Sequence, residues 1–176
     1  MTFRHRTIQN AYVVDDLDAA IERWHRLWGL GPFFVRRHIV LPEVRYRGRP
    51  ASLDISAAYV QAGPIQVELV SQHDSAPSAF RDMFAPGHGG FHHVAVIPED
   101  YEGLLADYGR QGFDVATELR TASGRGAAYV DTRGMLGHMV EVYWPSASLD
   151  ALYRDVAAAA EQWDGRQLKI EVDPAA

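Results

Sequence analysis

Four residues of types that ligate metal ions stand at related places in the chain: Gln9, Glu68, His93 and Glu141. Gln9 and His93 are separated by 84 positions, and each stands seven residues before an aspartate, Asp16 or Asp100. A repeated spacing of this length indicates a duplicated structural unit. Gln9 and His93 then become equivalent positions, which we expect to approach the same space from opposite sides.

The two glutamates occupy the middle of strand-like runs. Glu68 lies in IQVELV and Glu141 in HMVEVY, each flanked by apolar residues. A carboxylate in such a place is costly to bury unpaired, and a divalent cation is the simplest partner for two of them. Together with Gln9 and His93 they would supply one nitrogen and three oxygen ligands. This set suits Zn²⁺, Ni²⁺, Co²⁺, Mn²⁺ or Mg²⁺, and it differs from the two-histidine, one-carboxylate triad of iron oxygenases.

Two neighbouring residues compete for the ligand positions. His92 would replace His93 if the strand register slipped by one residue, since such a slip reverses the face of every side chain. The seven-residue spacing to Asp100 favours His93. Gln66 shares a face with Glu68 but has no counterpart in the second half. A single strand histidine is more often a core or rim residue than a ligand, so the hypothesis depends on the whole set.

The elements that position these residues occur in the same order in both halves. A strand is followed by a helix capped by aspartate, and then by three strands. In the first half we predict strands at 7–14, about 34–40, about 44–60 with a possible bend, and 65–71, and an apolar helical face at 17–28. In the second half we predict strands at 91–97, 113–119, 126–131 and 138–143 and a helix at 101–110. The tetrapeptide Ala-Ala-Tyr-Val, at 57–60 and again at 127–130, supports the alignment of the later strands.

These elements divide the chain into four parts. The first module covers 1–71, a linker with a short helix covers 72–90, the second module covers 91–145, and a C-terminal helix and tail cover 146–176. The apolar stripe of the last helix predicts that it covers a sheet edge or a partner chain. The residues after Gly165 are expected to be peripheral. Because edge strands of such sheets are usually covered, we expect a homodimer.

Arginines are concentrated in the first module, where Arg45, Arg47 and Arg49 alternate along one strand, with Arg36 and Arg37 nearby. In a structural interpretation they form a solvated strand face or an intersubunit contact. In a functional interpretation they bind the anionic tail of a substrate. Arg125 is a similar candidate in the second module. Tyr59, Tyr129, Tyr143 and Trp144 could line the site, although aromatic residues at these spacings most often belong to the core.

Composition excludes several classes of protein. The chain has 176 residues, 47% of them hydrophobic, and its net charge is −6, so we expect no nucleic-acid partner. It has no cysteine, which excludes disulfides, thiolate metal sites and cysteine nucleophiles. The amino terminus lacks the apolar run of a signal peptide, and no stretch is long enough to span a membrane. We therefore expect a cytoplasmic protein.

At these residues the chain resembles the vicinal oxygen chelate superfamily, which includes glyoxalase I, methylmalonyl-CoA epimerase, extradiol dioxygenases and bleomycin-resistance proteins. The resemblance covers about residues 7–143 and is carried by QNAYVVDDLDAA, HHVAVIPEDYEG, VELV and VEVY. It implies an α+β fold in which two tandem βαβββ modules form a cupped half-barrel around a metal, here with an added C-terminal helix.

The resemblance also implies an activity. Gln, Glu, His, Glu in this order is the pattern of one glyoxalase I class, whereas methylmalonyl-CoA epimerases usually have histidine first. Both are metal-dependent enzymes, an isomerase or lyase, that move a proton next to a carbonyl on a small oxygenated substrate. The proton-transfer role would fall on Glu141, with Glu68 as its counterpart on the other face. One alternative is a metal-free drug-binding protein of the same fold. A ring-cleaving dioxygenase is a weaker alternative, because the four residues include too few histidines for the iron triad.

Overall fold

The structure is a computed structural model that describes residues 5–124 and 126–175. Its first half contains one helix and six strands. In chain order these are β1 (Arg6–Val13), α1 (Leu17–Trp28), β2 (Phe33–Arg36), β3 (Glu43–Tyr46), β4 (Arg49–Pro50), β5 (Ile55–Ala62) and β6 (Ile65–Gln72). A short helix, α2 (Ala79–Met83), lies in the predicted linker.

The second half repeats the order of elements. It comprises β7 (Gly90–Ile97), α3 (Tyr101–Arg110), β8 (Val115–Arg120), β9 (Gly126–Val130), α4 (Arg133–Leu136) and β10 (Met139–Tyr143), followed by α5 (Ala147–Glu161) and β11 (Lys169–Val172). The two predicted aspartate caps are present, since Asp16 accepts a hydrogen bond from the Ala19 N–H and Asp100 from the Gly103 N–H, both at 2.9 Å. These caps satisfy otherwise unpaired donors at the first turns of α1 and α3.

The strands form one curved, unclosed sheet in the order β11-β2-β5-β6-β1-β7-β10-β9-β8-β3-β4. The two halves meet where β1 pairs antiparallel with β7. In that pairing Gln9 lies opposite Ala95 and Ala11 lies opposite His93. The repeat offset of 84 positions relates Gln9 to His93 and Ala11 to Ala95, so it converts one pair into the other. A pseudo-twofold axis therefore passes between the two pairs. The predicted α+β fold of paired modules with a C-terminal helix is confirmed.

The arginine-bearing segment departs from the predicted strands. Instead of one strand-like run at 44–60 with a possible bend, residues 43–50 form a hairpin that leaves the first module, and β3 pairs with β8 of the second. Arg47 and Gly48 form the turn with φ of 46° and 76°, a backbone region that non-glycine residues rarely adopt. The hairpin extends the sheet on the side of the second module.

The C-terminal elements also differ from expectation. Val156 of α5 belongs to the same buried cluster as Tyr59, Tyr129 and Met139, so the helix packs against the sheet face and does not cover an edge. The edge is covered instead by β11, which pairs in parallel with β2. Residues after Gly165 are therefore integrated into the sheet, which corrects the expectation that they are peripheral.

Helices α1 and α3 pack against separate buried clusters, which include Ile21 with Leu69 in the first module and Leu104 with Val142 in the second. The largest cluster lies on the face of the sheet that α2 and α5 share. Within residues 5–124 and 126–175, no helix combines the length and the apolar character needed to cross a membrane.

Candidate functional site

The four predicted ligands lie in two adjacent rows across the central strands β6, β1, β7 and β10. In each row an alanine of β1 or β7 separates two of them, and the rows are Gln9–Ala95–Glu141 and Glu68–Ala11–His93. Because residues in lateral register point to the same face of a sheet, all four side chains share one face. The small alanines between them leave room for a bound group.

Three of the four side chains converge to close range. His93 Nε2 lies 3.0 Å from Glu141 Oε2 and 3.4 Å from Glu68 Oε2. One ligand atom from each lies within 4.8 Å of the others. Metal bonds of about 2.0–2.2 Å place neighbouring ligand atoms roughly 3–3.5 Å apart. The separations therefore match the spacing of ligands around one ion.

Among the described residues, the same three atoms have no hydrogen-bond partner outside their own group. His93 Nε2, Glu68 Oε2 and Glu141 Oε2 are buried, and among the described residues none of them makes a hydrogen bond of acceptable geometry. Buried polar atoms are nearly always satisfied, so a group of three orphaned donors and acceptors requires an explanation. A cation held among them would satisfy all three. The residues present therefore fit a divalent metal, although their role as ligands stays a prediction.

His92 fixes the tautomer of His93. His92 Nε2 lies 3.0 Å from the Ala79 carbonyl oxygen, which can only accept, so this nitrogen carries a proton. Burial, together with the nearby charge of His93, lowers the pKa of His92 to about 3, so its Nδ1 is an acceptor. The two Nδ1 atoms are 2.8 Å apart, and His93 Nδ1 must be the donor. His93 Nε2 is then the nitrogen available to an ion.

A β-bulge explains why both histidines face the same region. In the register of β1 with β7, Ala11 lies opposite His93 and the next residue, Tyr12, lies opposite Phe91, so His92 has no partner on β1. The extra residue of a bulge interrupts the alternation of faces along the strand. Two consecutive side chains can then lie on the same side. The prediction that His93, and not His92, is oriented toward the glutamates agrees with the distances from His93 Nε2 to Glu68 and Glu141. His92 contacts His93 through Nδ1 and orients its ring.

The buried charges shift one another's proton affinity. Burial alone would lower the pKa of His93, but Glu141 and then Glu68 outweigh it and raise the pKa to about 9. Burial raises the pKa of Glu68 above its usual value, with the neighbouring charge of Glu141 adding to the shift and His93 opposing it. Without a metal, the cluster therefore holds an imidazolium between two carboxyl groups.

Gln9 is buried and lies in the same row as Glu141, but its side chain pairs with a tyrosine rather than with the cluster. Its Oε1 accepts a hydrogen bond from the Tyr143 hydroxyl at 3.2 Å, while its Nε2 has no partner among the described residues. The two amide atoms are interchangeable in this kind of assignment. Rotation of the amide would keep one contact to Tyr143 and change the atom that faces the glutamates.

A cavity with about 500 Å³ of empty volume, part of it open solvent, lies above the cluster. Of the four predicted ligands, the two glutamates line it. The rest of its wall is mainly apolar and aromatic, and includes Tyr59, Tyr129, Ile39 and Ile55. An apolar wall with a few polar groups is typical of a small-molecule site. The carboxylates are therefore the groups of the cluster that a ligand in this cavity would meet.

The three predicted arginines that the structure describes, Arg45, Arg47 and Arg49, do not line this cavity. Arg45 lines a neighbouring pocket beside Glu43, Glu118 and Arg120, so its positive charge is matched there. Arg47 forms ion pairs with Asp82 at 2.6 Å and Asp131 at 2.9 Å. Arg49 is exposed on β4, and Arg125 lies outside the described residues. The substrate-binding role of these four arginines stays a prediction.

Other residues reach the cavity without having been predicted to do so. Arg36, noted in the sequence only as a neighbour of the arginine cluster, is buried and lines the wall. Leu149 and Leu152 of α5 line it as well, which places the C-terminal helix over the site. Tyr153 on the same helix has a buried hydroxyl. The helical spacing of these residues indicated an apolar face but not the surface it would cover.

Comparisons with known proteins agree with this architecture. Residues 8–129 match the model of the Glyoxalase/Bleomycin resistance protein/Dioxygenase superfamily. No curated protein matches the sequence closely enough to count as a relative.

Solved structures share the fold at low sequence identity. A hypothetical protein from Bacillus halodurans C-125 has a TM-score of 0.56 at 14% identity and covers 81% of this chain and 95% of its own. Methylmalonyl-CoA epimerase from Streptomyces coelicolor, a variant in complex with 2-nitronate-propionyl-CoA, has a TM-score of 0.54 at 18% identity, covering 81% and 95%. The Mycobacterium tuberculosis epimerase has a TM-score of 0.51 at 18% identity, covering 82% and 91%.

Proposed function

Because the chain belongs to the Glyoxalase/Bleomycin resistance protein/Dioxygenase superfamily, we propose that it is a metal-dependent isomerase or lyase. It would move a proton next to a carbonyl on a small oxygenated substrate. The observation that carries the proposal is the buried group of Glu68, His93 and Glu141, whose facing atoms have no hydrogen-bond partners in the described chain. Two carboxylates beside one potential metal position are the groups that such a reaction requires.

Glu68, His93 and Glu141, with Gln9 as the fourth residue, would hold the divalent ion, which supplies Lewis-acid polarisation of the substrate carbonyl when bound. His92 orients His93 through the Nδ1 contact. The donor set of one nitrogen and several oxygens suits Zn²⁺, Ni²⁺, Co²⁺, Mn²⁺ or Mg²⁺. A single histidine in the cluster disfavours the iron triad of a ring-cleaving dioxygenase.

The two carboxylates would perform the proton transfer. Both line the cavity, and they stand at equivalent places of the two modules on either side of the pseudo-twofold axis. Glu141 would take the proton from carbon as general base. Glu68, its counterpart in the first module, would serve the proton transfer from the other side. Return to the same carbon gives epimerisation, and return to the neighbouring carbon gives a 1,2-shift.

Acyl-CoA epimerisation and the glyoxalase I reaction are therefore the two activities to assay. The solved epimerases share the fold, and methylmalonyl-CoA is the ligand of one of them. Gln9 at the first ligand position favours the glyoxalase I pattern. A homodimer, the other expectation for this fold, is proposed on the ground that the sheet ends in exposed strand β4.

The test combines metal loading with hydrogen exchange. Metal-loaded protein is incubated in D₂O with methylmalonyl-CoA, or with the hemithioacetal of methylglyoxal and glutathione, and deuterium at the substrate carbon is measured by mass spectrometry. We expect incorporation with one of the two substrates, reduced roughly 10²–10⁴-fold in Glu141→Gln, which removes the general base. Glu118→Gln, a carboxylate in the neighbouring pocket, is the matched control. Equal rates in Glu141→Gln and wild type would refute the proton-transfer role.

A metal-free binding protein is the second candidate, favoured by the apolar cavity wall under α5. It predicts that protein purified without chelators contains no ion at His93, so that His93→Gln leaves the metal content unchanged. It also predicts binding of an apolar ligand without turnover.

A further inference from the structure

A second group of metal-type ligands lies on the surface of the first module. His38, Asp54 and His73 each offer a ligand atom within 4.8 Å of the others; the two histidines are exposed and the aspartate is half-buried. His38 Nδ1 lies 2.8 Å from Asp54 Oδ1, and the two imidazole rings are 4.4 Å apart between centroids. We propose that these three residues form a separate binding site for a divalent transition-metal ion.

The three residues are held by hydrogen bonds to the backbone. The His38 N–H donates to Ser56 Oγ at 2.9 Å, and the His73 N–H donates to the Asp54 carbonyl at 2.9 Å. The Asp54 N–H donates to Asp74 Oδ2 at 3.1 Å. The loop after β2, the residue before β5 and the residue after β6 are thereby fixed relative to one another. A ligand set fixed in this way needs little rearrangement to accept an ion.

His38 adopts a backbone conformation that is uncommon for its type. Its φ of 46° lies in the left-handed region, which a residue other than glycine occupies at a cost. That conformation brings its ring against His73 and its Nδ1 against Asp54. Ser56 Oγ, buried beneath, lies 2.7 Å from His73 Nε2. A hydroxyl in this place orients the ring, as outer-shell groups do at metal sites.

The chemistry of the donors indicates the class of ion. Two imidazole nitrogens and one carboxylate oxygen suit Zn²⁺, Co²⁺, Ni²⁺ or Cu²⁺, whereas Mg²⁺ and Ca²⁺ prefer all-oxygen sites. Three protein ligands leave at least one coordination position to water, and the exposure of the histidines makes it accessible. This donor set differs from the one-histidine, two-glutamate cluster beneath the cavity, so the two sites would differ in metal preference.

The surface site is connected to the cavity by neighbouring residues. Ile39 and Ile55, which follow His38 and Asp54 in the chain, both line the cavity. The Ile39 N–H donates to the Ile55 carbonyl at 2.8 Å. An ion at the surface would fix these two wall residues by holding the segments that carry them. The site therefore has a structural connection to ligand binding without contributing a ligand to the cavity.

The experiment counts ions in the full chain. Metal-free protein is titrated with Zn²⁺ by calorimetry, and bound zinc is measured after gel filtration, for wild type, His93→Gln, Asp54→Asn and His73→Phe. The phenyl ring of the last variant keeps the contact with His38 but removes both nitrogens. His88→Asn, an exposed histidine outside the cluster, is the control.

We expect His73→Phe and Asp54→Asn each to lose one zinc equivalent, or to bind it at least tenfold more weakly, while His88→Asn matches wild type. The His93→Gln variant should retain the zinc equivalent bound at the surface site. The double variant His93→Gln, His73→Phe should lose it. This result holds whether or not the buried cluster binds metal, so the proposed function is tested separately. Zinc binding that is unchanged in both surface variants, with circular dichroism showing them folded, would overturn the proposal.

Discussion

Tyr129 lies directly opposite Glu141 across strands β9 and β10, and its hydroxyl forms a hydrogen bond with that carboxylate. The first module contains the same pair, because Tyr59 lies opposite Glu68 across β5 and β6 and hydrogen-bonds to it. The repeated tetrapeptide Ala-Ala-Tyr-Val thus supplies one phenol to each carboxylate. The pseudo-symmetry of the site extends from the predicted ligands to the residues that support them.

We predict that His92→Phe weakens metal binding at the buried cluster. The phenyl ring fills the space of the imidazole among Phe80 and Tyr129, but it cannot accept the Nδ1 proton of His93. Loss of such an outer-shell partner typically costs 10–100-fold in metal affinity, and we expect a loss of that size by calorimetry. His92→Asn, whose side-chain oxygen can accept the same proton, should recover part of it. Equal affinity in the Phe and Asn variants would contradict the tautomer assignment.

The stability of the metal-free protein should fall as pH rises above 7. The pKa of His93 is about 9 in the folded protein, against 6.5 for an ordinary histidine. Between these values the folded state holds one proton more than the unfolded state, so the stabilisation is complete below pH 6.5 and lost through pH 9. The slope for one proton is at most about 1.4 kcal/mol per pH unit.

This pH dependence can be measured by urea unfolding of chelator-treated protein at pH 6 to 10. Glu68, whose pKa is also raised, acts in the same direction. The His93→Gln variant should show a much smaller fall above pH 7. A metal ion should reverse the trend, because ion binding requires unprotonated ligands. A wild-type profile that is flat from pH 7 to 9 would show that His93 is not charged in the folded state.

The repeat is reflected in the pairing of the strands that carry Gln9 and His93. A constant offset selects Gln9 and His93, and the antiparallel pairing of β1 with β7 follows from placing equivalent strands about an axis. Positions near that axis are encoded locally, since each strand carries its own polar residue and its own alanine. The aspartate caps of both helices could also be predicted from the local sequence, because a cap and the amides it satisfies lie within four residues.

Features that depend on contacts between distant segments were not predicted. The β3–β4 hairpin pairs with β8 in the other module, and β11 pairs with β2, and neither pairing is marked by the periodicity of one segment. The bulge at His92 is visible only in the register of two strands. His38, Asp54 and His73 come from three separate segments and share no spacing pattern. Sheet register and loop conformation set these features, and alternation along a strand does not specify either.

We predict that Asp131→Asn loosens the hairpin at residues 43–50. Asp131 lies between Arg133 at 2.8 Å and Arg47 at 2.9 Å. The hydrogen bonds from these two arginines, that of Arg133 most strongly, hold the pKa of Asp131 below its usual range. The ion pairs are partly exposed, so global stability should change by no more than about 1 kcal/mol. Amide hydrogen exchange in the hairpin should nevertheless accelerate, because Arg47 is its tip.

The same loosening should occur in wild type as the pH is lowered. A carboxylate with a depressed pKa contributes stability that is present above pH 3.8 and lost as pH falls below it. Exchange measured by mass spectrometry at pH 7 and at pH 3, corrected for intrinsic rates, tests both statements. Asp155→Asn on α5 is the control, since it is exposed. Hairpin exchange that is unaffected by Asp131→Asn at pH 7 would exclude this anchoring role.

The phenol–carboxylate pairs yield the last prediction. Tyr59→Phe removes the hydrogen bond that lowers the pKa of Glu68, so the pKa of Glu68 rises further and less of it is ionised at neutral pH. Hydrogen bonds to charged groups contribute about 1.5–3 kcal/mol, and we expect metal affinity at pH 7 to fall about tenfold or more. The loss should shrink as pH rises, because the carboxylate then ionises regardless. Calorimetric titrations with metal from pH 6 to 9 measure this dependence. Tyr12→Phe, whose ring packs against Trp24 and Phe91, serves as the control. A loss that is constant across this pH range would mean that Tyr59 acts by packing and not through the ionisation of Glu68.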